Sequence, residues 1–233
     1  MSNAVDFIDL NSVPFTVIQS RFLLRKMDGG DVGLYYVRYE APLEECLVAR
    51  LPSLPNNESL RVAFGSVSTD DWTVALLGNE ARIISKDTGN VEVDARHVDA
   101  RREDGRITLV GDLASPSDLD DDSFISEADA VVEDWMDKAP RVRAHRHAMT
   151  NQCWWVLGAN QILLRMPDGV EASAVVPSKV GYVGLWQWDA YFIALGLRHG
   201  APELAAEQLN IAFTPAPSGQ LPDVVHEGGI LSS

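Results

Sequence analysis

The chain has 233 residues, of which 46% are apolar and 23% are charged, and its formal net charge is −15. This composition is typical of a soluble globular protein, and the length allows one large domain or two small ones. The negative charge argues against nucleic-acid and anionic-membrane partners because like charges repel, and no apolar run approaches the ~20 residues of a membrane span.

The two cysteines and the first residues bear on the compartment. Cys46 and Cys153 lie far apart and show no metal-ligand spacing, which favours a reducing environment. The acidic start, residues 1–9, lacks the basic and then apolar pattern of a secretory signal. The sequence therefore predicts a cytoplasmic protein.

The first 120 residues have the pattern of short β-strands. Apolar and β-branched segments recur at short spacing, and Gly-, Asn- and Asp-rich turns such as 28–30, 55–57 and 78–79 separate them. We predict strands over residues 15–24, 33–39, 59–67, 72–77, 81–85, 90–98 and 106–110. This spacing predicts an antiparallel β-sandwich. The segment contains no catalytic motif, so we interpret it as an accessory domain.

Residues 115–123 read Ser-Pro-Ser-Asp-Leu-Asp-Asp-Asp-Ser, a polar and acidic segment that we interpret as a linker. It lacks the Gly and Glu at the offsets of a calcium-binding loop, so we predict no metal site. The acids instead precede a helix N-terminus, where Ser123 or Ser126 can provide the cap. The expected domain boundary is near residue 120, between a β domain of residues 1–120 and a helical domain of residues 121–233.

Four helices are predicted after this linker. Residues 124–138 are apolar at three- and four-residue steps, and a second helix is predicted over residues 141–165. The third begins near Asp189 and is apolar all round over residues 190–197, which predicts burial on every side. The fourth covers residues 203–213, with a proline in its first turn. Strands followed by helices predict a two-domain α+β protein.

The segment 186–192, Trp-Gln-Trp-Asp-Ala-Tyr-Phe, is the strongest functional signal. It holds two of the six tryptophans beside a carboxylate, a combination that suits stacking on a sugar ring and hydrogen bonding to its hydroxyls. Asp189 has two compatible interpretations, a helix N-cap and a ligand for sugar hydroxyls. A purely structural protein, in which these tryptophans are part of the core, is the rival interpretation.

Four motifs in this order resemble glycoside hydrolase family 63, in particular its bacterial mannosylglycerate and glucosylglycerate hydrolases. They are Pro-Ser-x-x-Gly-Tyr at 177–182, Trp-x-Trp-Asp at 186–189, Glu-Leu-Ala-Ala-Glu-Gln-Leu at 203–209 and Gly-x-Leu-Pro-Asp at 219–223. The resemblance extends from about Ser123 and is concentrated between Pro177 and Asp223. It implies an (α/α)6-barrel glycosidase with no cofactor.

The same resemblance implies two segments of a sugar pocket at the −1 subsite. The first contributes Tyr182, Trp186, Trp188 and Asp189, and the second contributes Gly219, Pro222 and Asp223. Relatives usually place a glutamine shortly before that glycine, whereas this chain has Pro215, Ala216 and Pro217 there.

A complete (α/α)6 barrel has twelve helices, more than residues 121–233 can hold. We therefore expect an N-terminal portion of the enzyme, with an incomplete barrel. Family members invert the anomeric centre with a general acid and a general base, and the resemblance places these carboxylates further along the barrel. Asp189, Asp223 and Glu227 stay open as alternatives, so the catalytic residues are unknown.

The leading functional prediction is an α-glycosidase that acts by inversion on a small α-glucoside or α-mannoside such as glucosylglycerate. This chain would carry part of the −1 subsite. The alternative is a non-catalytic fragment or sugar-binding module without the acid/base pair. The predicted partners are a small carbohydrate and either the missing C-terminal half or another copy of the chain.

Overall fold

The computed structural model of the chain describes residues 10, 13–52, 60–166, 168–214 and 219–231. It consists of antiparallel sheets and four α-helices, which confirms the α+β class. The chain divides into two compact units: unit 1 is Met1–Val37 with Leu43–Glu133, and unit 2 is Arg38–Pro42 with Asp134–Ser233. The domain boundary near residue 120 stays a prediction, and the turn at 55–57 lies outside the described residues.

The described residues of unit 1 form ten strands in two antiparallel sheets. In chain order they are β1 (Phe22–Lys26), β2 (Val32–Tyr36), β3 (Leu47–Leu51), β4 (Arg61–Val62), β5 (Ser66–Ser68), β6 (Trp72–Leu77), β7 (Glu80–Ser85), β8 (Glu92–Val93), β9 (Asp99–Glu103) and β10 (Arg106–Val110). One sheet has the order β1-β2-β3-β8 and the other β4-β5-β6-β7-β10-β9. Each of the seven predicted segments overlaps at least one of these strands.

Contacts between side chains and loop backbones join the two sheets. The Tyr36 hydroxyl on β2 accepts a hydrogen bond of 2.8 Å from the Asp112 N–H, which follows β10. Asn79, between β6 and β7, accepts from the Arg21 N–H at 2.7 Å and donates to the Asp112 carbonyl at 2.8 Å. Since Gly111 lies against the Tyr36 ring, a side chain at that position would collide with it.

Two strands of unit 1 were not predicted. All five residues of β9, Asp-Ala-Arg-Arg-Glu, are exposed, so no apolar alternation marks this strand. Its conformation depends on pairing with β10, in the register Thr108 to Arg101. Strand β3 joins β2 through an irregular register between Leu34 and Tyr35. Pairing at the edge of a sheet is a tertiary property that the local pattern does not contain.

The predicted linker is attached to unit 1 by a buried arginine. Arg82 on β7 is 2% exposed, and its guanidinium donates to the Leu119 carbonyl at 2.7 Å and to the Ser117 carbonyl at 3.0 Å. Glu80 pairs with Arg82 at 2.9 Å and accepts from the Ser117 N–H at 2.6 Å. The segment is therefore held by a hydrogen-bonded ion pair.

Helix α1 covers Asp121–Asp137, which confirms the first predicted helix. The predicted caps, Ser123 and Ser126, are wrong. Asp120 caps the helix instead, because its Oδ1 accepts the Ser123 N–H at 2.8 Å. That backbone hydrogen bond holds the pKa of Asp120 below its usual value. Asp121 and Asp122 in the first turn also favour the helix dipole.

Asp129 on α1 connects the helix to the loop before β5. Its carboxylate accepts the Gly65 N–H at 2.6 Å, and the backbone at Gly65 lies so close to Ala128 that any side chain there would collide with the helix. Desolvation by burial raises the pKa of Asp129, and the hydrogen bond from Gly65 partly opposes this. Ionisation of this carboxyl is therefore less favourable than in water.

We expect Asp129→Asn to be at least as stable as the parent at pH 7. The amide oxygen keeps the hydrogen bond from Gly65, and the cost of burying a charge is removed. A carboxyl group whose pKa is higher in the folded than in the unfolded chain favours the fold at low pH, where it is protonated. This contribution to stability is lost as the pH rises through the folded pKa. The stability advantage of the variant, measured by urea unfolding between pH 4 and 7, should therefore grow with pH.

Asp129→Ala is the matched control, since it removes the acceptor and should cost about 1 kcal/mol. An asparagine variant that is destabilised as much as the alanine variant at pH 7 would show that the negative charge itself is required.

The part of unit 2 that the structure describes contains three further α-helices and five short strands. They are α2 (His147–Ala159), β11 (Gln161–Arg165), β12 (Glu171–Val175), β13 (Leu185–Trp186), α3 (Gln187–Leu197), α4 (Pro202–Ala212), β14 (Val224–His226) and β15 (Gly229–Leu231). Strands β11 and β12 form a hairpin, and β13, β14 and β15 form a three-stranded sheet. Within the described residues, no helix has the length and apolar character needed to cross a membrane.

The predicted helix over residues 141–165 is wrong in its last part. Helix α2 ends at Ala159, and residues 161–165 form β11, which pairs with β12. Ile162 and Leu164 are buried on one face of this hairpin. Gln208 of α4 accepts the Val175 N–H at 2.7 Å and donates to the Ser173 carbonyl at 2.9 Å. Helix α4 thus stabilises the strand conformation.

Trp135 and Trp154 form a stacked ring pair in the core of unit 2. Their rings stack at 4.6 Å with an interplanar angle of 7°. The Trp135 Nε1–H donates to the Trp154 carbonyl at 2.9 Å, and the Trp154 Nε1–H donates to the Trp135 carbonyl at 2.7 Å. Gly158 and Gly200 lie against these rings, where a side chain would collide with them.

Candidate functional site

Pairing between β13 and β14 brings the two predicted site segments together. Leu185 pairs with Val225, and Trp186 pairs with Val224. The Gln187 N–H then donates to the Asp223 carbonyl at 2.9 Å. The aromatic segment and the loop that ends at Asp223 are therefore neighbours in the structure.

Asp189 lies in the first turn of α3. The N-cap of this helix is Trp186, and no side chain provides a capping hydrogen bond. The N-cap interpretation of Asp189 is therefore wrong, because the helix begins two residues before it. Among the described residues, the Asp189 carboxylate has no hydrogen-bond or ion-pair partner. Its negative charge suits the positive end of the helix dipole.

One face of α3 is apolar and exposed. Trp188 is 69% exposed and Phe192 is 63% exposed, and their rings meet edge to face at 5.6 Å. Leu195 continues this face one turn later. The prediction of burial on every side is wrong, because burial is concentrated on the opposite side of the helix, at Ala190, Ala194 and Leu197. Trp188 is not a core residue.

Tyr182 and Trp186 form a second aromatic pair. Their ring centroids are 6.0 Å apart at an interplanar angle of 70°, and Tyr182 is 57% exposed. The Nε1 atom of Trp186 is buried and has no hydrogen-bond partner among the described residues. A buried donor without an acceptor costs about 1–3 kcal/mol, so this N–H is an unused hydrogen-bond donor.

The second predicted loop places three residues in different environments. Gly219 is exposed and has a positive φ of 80°, a backbone conformation that favours glycine. Pro222 is buried, whereas Asp223 is exposed. Residues 215–217, where this chain departs from the family pattern, lie outside the described residues.

Sequence reasoning missed the contribution of Arg38–Pro42, a segment that belongs to unit 2. The Tyr39 ring stacks on His226 of β14 at 3.8 Å, with an interplanar angle of 15°. The Tyr39 N–H donates to Glu227 Oε1 at 2.6 Å across 188 positions of sequence. No local pattern signals a contact of this range.

The surroundings of Tyr39 disfavour ionisation of its phenol. Burial and then the negative charge of Glu40 raise the pKa of Tyr39. His226 Nδ1 accepts the Gly228 N–H at 3.0 Å, which places the proton of the neutral ring on Nε2. Glu227, one of the three acids considered for catalysis, thus uses one oxygen to hold the Arg38–Pro42 segment.

The predicted site residues do not line the cavities of about 390–460 Å³ in the described structure. A cavity of about 390 Å³ lies between the β11–β12 hairpin and α4, and two others of about 460 and 410 Å³ lie in unit 1. None of these three cavities is lined by the seven predicted residues. Aromatic rings and one unpaired carboxylate on a surface can bind a sugar ring by one of its faces.

The segment that contains all seven of these residues is similar to a glycoside hydrolase family. Residues 182–229 match the family model described as the mannosylglycerate hydrolase MGH1-like glycoside hydrolase domain. The match is short relative to the chain, and it confirms the resemblance over this segment. No curated protein matches the chain significantly. The match supports a function of the glycoside hydrolase kind.

Proposed function

We propose that this chain supplies part of the −1 sugar subsite of an inverting α-glycosidase. The proposed substrate is a small α-glucoside or α-mannoside such as glucosylglycerate. Tyr182, Trp186, Trp188 and Asp189 form the sugar-binding surface, and the loop of Gly219, Pro222 and Asp223 borders it. The reaction is hydrolysis and needs no cofactor.

One observation carries this proposal. Trp186 and Asp189 are three residues apart, and each offers a polar group without a protein partner among the described residues. The Trp186 N–H is a donor, and the Asp189 carboxylate is an acceptor. Sugar hydroxyls can serve as both acceptor and donor, so one sugar ring can satisfy both groups.

The exposed rings supply the remaining affinity. Trp188 and Phe192 present apolar faces to solvent beside Asp189. Burying part of such a ring against the C–H face of a sugar removes apolar surface from water, which contributes about 25 cal/mol per Å². Aromatic stacking with one charged acceptor thus fits a neutral sugar.

An acidic aglycone is supported by Arg38. Its Nε atom is buried and has no hydrogen-bond partner among the described residues. The neighbouring Tyr39 contacts His226 and Glu227 in the same part of unit 2. A guanidinium that lacks an acceptor favours a carboxylate, which a glycerate aglycone provides.

Inversion requires two carboxylates, about 6.5–9.5 Å apart, on opposite sides of the scissile bond. Asp189 is the acid of this surface that is available to touch the sugar. Glu227 accepts a backbone hydrogen bond from Tyr39, which gives it a structural contact. A sugar-binding module without an acid/base pair is the second candidate. It is favoured because one carboxylate oxygen of Glu227 is already used in this hydrogen bond.

We expect Asp189→Asn and Trp188→Ala each to weaken binding of glucosylglycerate and mannosylglycerate about tenfold, equivalent to ~1.4 kcal/mol. The first change removes a charged acceptor, and the second removes the stacking surface. Tryptophan fluorescence titrations of the 233-residue chain measure the affinity. Glu203→Gln and Met149→Ala are matched controls, since both residues are exposed in the same unit and lie outside the α3 face, and their affinities should match that of the parent.

A hydrolysis assay separates the two candidate functions. One outcome is that the parent chain hydrolyses the substrate and that Asp189→Asn abolishes this turnover, while circular dichroism shows an intact fold. That outcome supports an enzyme whose acids in this chain suffice for catalysis. Binding without turnover supports the sugar-binding module. Affinity and turnover unchanged in both site variants would refute the proposed sugar surface.

The wider architecture is also a proposal. Two antiparallel sheets joined by the Tyr36 and Asn79 hydrogen bonds support a β-sandwich in unit 1. The adjacent helices α3 and α4 support the start of an (α/α)6 barrel, although the β11–β12 hairpin interrupts the helical pattern. Because one apolar face of α3 is exposed, we expect a partner to cover it, either a further part of the enzyme or another copy of the chain. Free cysteines support a cytoplasmic location.

A further inference from the structure

A row of cationic side chains crosses the β1-β2-β3 face of unit 1, separately from the sugar surface. Arg25 on β1 pairs with Gly33 on β2, and Gly33 pairs with Arg50 on β3. Residues paired directly across antiparallel strands lie on the same face of the sheet. Two guanidinium groups therefore flank one glycine.

The phenol ring of Tyr35 occupies the space above Gly33. A Cβ atom at Gly33 would lie 2.7 Å from the ring and 2.8 Å from the hydroxyl oxygen, so only glycine allows this ring position. Tyr35 is buried, but its hydroxyl has no hydrogen-bond partner among the described residues. Burial raises the pKa of this phenol, and the positive charges of Arg25 and Arg50 partly oppose that effect.

The hydrogen-bond donors of Arg25 and Arg50 have few protein acceptors. The Arg25 side chain has no hydrogen bond or ion pair within the described part of the chain. The Arg50 guanidinium forms ion pairs with Asp31 at 3.7 Å and with Glu92 at 3.8 Å, both longer than a hydrogen bond. The guanidinium donors of both arginines are therefore available for short hydrogen bonds to a ligand.

These groups line a cavity of about 460 Å³, within the size range of small-molecule sites. Lys26 adds a third cation, Asp28 and Glu44 are the acids of the lining, and Met27, Leu43 and Leu47 provide apolar walls. The cations therefore outnumber the acids, in a chain whose net charge is −15.

We propose that this cavity binds the oxyanion group of a small molecule, a carboxylate or a phosphate, between the guanidinium groups of Arg25 and Arg50. The planar forks of two arginines match the oxygens of either group, and the Tyr35 hydroxyl donates a further hydrogen bond. The apolar wall contacts the uncharged remainder of the ligand. The site does not depend on the proposed sugar site.

The test is a titration of the full 233-residue chain with inorganic phosphate and, separately, with D-glycerate. Both titrations are made at constant ionic strength so that screening stays unchanged. We expect the Nε–H signals of Arg25 and Arg50 in heteronuclear NMR spectra to shift with a common saturation curve. The signal of Arg101, an exposed arginine of the same unit, should not shift. The tighter of the two probes identifies the oxyanion.

Calorimetry then measures the contribution of each group. The double variant Arg25→Gln/Arg50→Gln should bind the preferred probe at least ~10-fold more weakly, whereas Arg101→Gln should bind like the parent. Tyr35→Phe keeps the ring over Gly33 and should weaken binding by a smaller factor. Arg25 and Arg50 signals that move with neither probe overturn the proposal, and so does a folded double variant with the affinity of the parent.

Discussion

Replacing Arg82 with methionine should lower the free energy of unfolding of unit 1 by about 3–5 kcal/mol, because it leaves a buried carboxylate without its partner. Arg82 and Glu80 are both buried, and their side chains meet at 2.9 Å. The guanidinium also lies 4.1 Å from the centre of the Phe124 ring. Methionine fills similar space but carries no charge and donates no hydrogen bond. The expected loss of stability therefore reports on the charge and the hydrogen bonds of Arg82.

The same substitution should release the segment before α1. Arg82 donates to Leu119 and to both the carbonyl and the hydroxyl of Ser117, and it pairs with Asp121 at 3.2 Å. Hydrogen exchange of amides over residues 115–121 should therefore accelerate in Arg82→Met. Urea unfolding followed by circular dichroism measures the change in stability.

Two controls distinguish the ion pair from a general effect of removing an arginine. Arg106 also pairs with Asp121, at 3.1 Å, but it is more exposed, so Arg106→Met should cost no more than about 1 kcal/mol. Glu80→Gln keeps an acceptor while removing the charge and should cost less than Arg82→Met. Equal stability of Arg82→Met and the parent would contradict the role of this pair.

Replacing Trp135 with alanine should destabilise unit 2 by about 3–5 kcal/mol, the usual cost of truncating a buried tryptophan. The change removes the ring that stacks on Trp154 and leaves the Trp154 carbonyl without its donor. It also leaves a cavity beside Gly158. Thermal unfolding monitored by near-ultraviolet circular dichroism reports the loss, because the stacked indoles are a rigid chiral pair.

Trp135→Phe separates the hydrogen bond from packing. It retains an aromatic ring but removes the N–H, so its cost should be smaller than that of the alanine variant. Trp188→Ala is the matched surface control, since Trp188 is exposed and its removal should change stability by no more than about 0.5 kcal/mol. The interpretation fails if Trp135→Ala is no less stable than Trp188→Ala.

Local patterns in the sequence predicted those elements whose apolar residues form a clear period or a short continuous run. The predicted strands over 72–77 and 106–110 coincide with β6 and β10, and the helix from Phe124 coincides with most of α1. The buried residues of α1 recur at three- and four-residue steps, whereas β6 and β10 are short apolar runs that are buried along most of their length.

Long-range contacts decided the segments that were predicted wrongly. Residues 161–165 contain the apolar run Ile-Leu-Leu, which suits a helix as well as a strand, and pairing with β12 together with Gln208 selects the strand. Helix α3 is apolar all round, but its packing covers only the side of Ala190, Ala194 and Leu197. The cap of α1 moved from the predicted serines to Asp120 because the helix begins earlier.

For the functional site, the sequence by itself determined the glycoside hydrolase motifs and the residues Tyr182, Trp186, Trp188 and Asp189, because these are adjacent in the chain. Only the tertiary structure decided that Asp189 has no capping role and that Tyr39 contacts His226 and Glu227. It also decided that Arg25, Gly33 and Arg50 form one row. The physical reason is that side chains on different strands become neighbours through backbone pairing, which no local sequence pattern encodes.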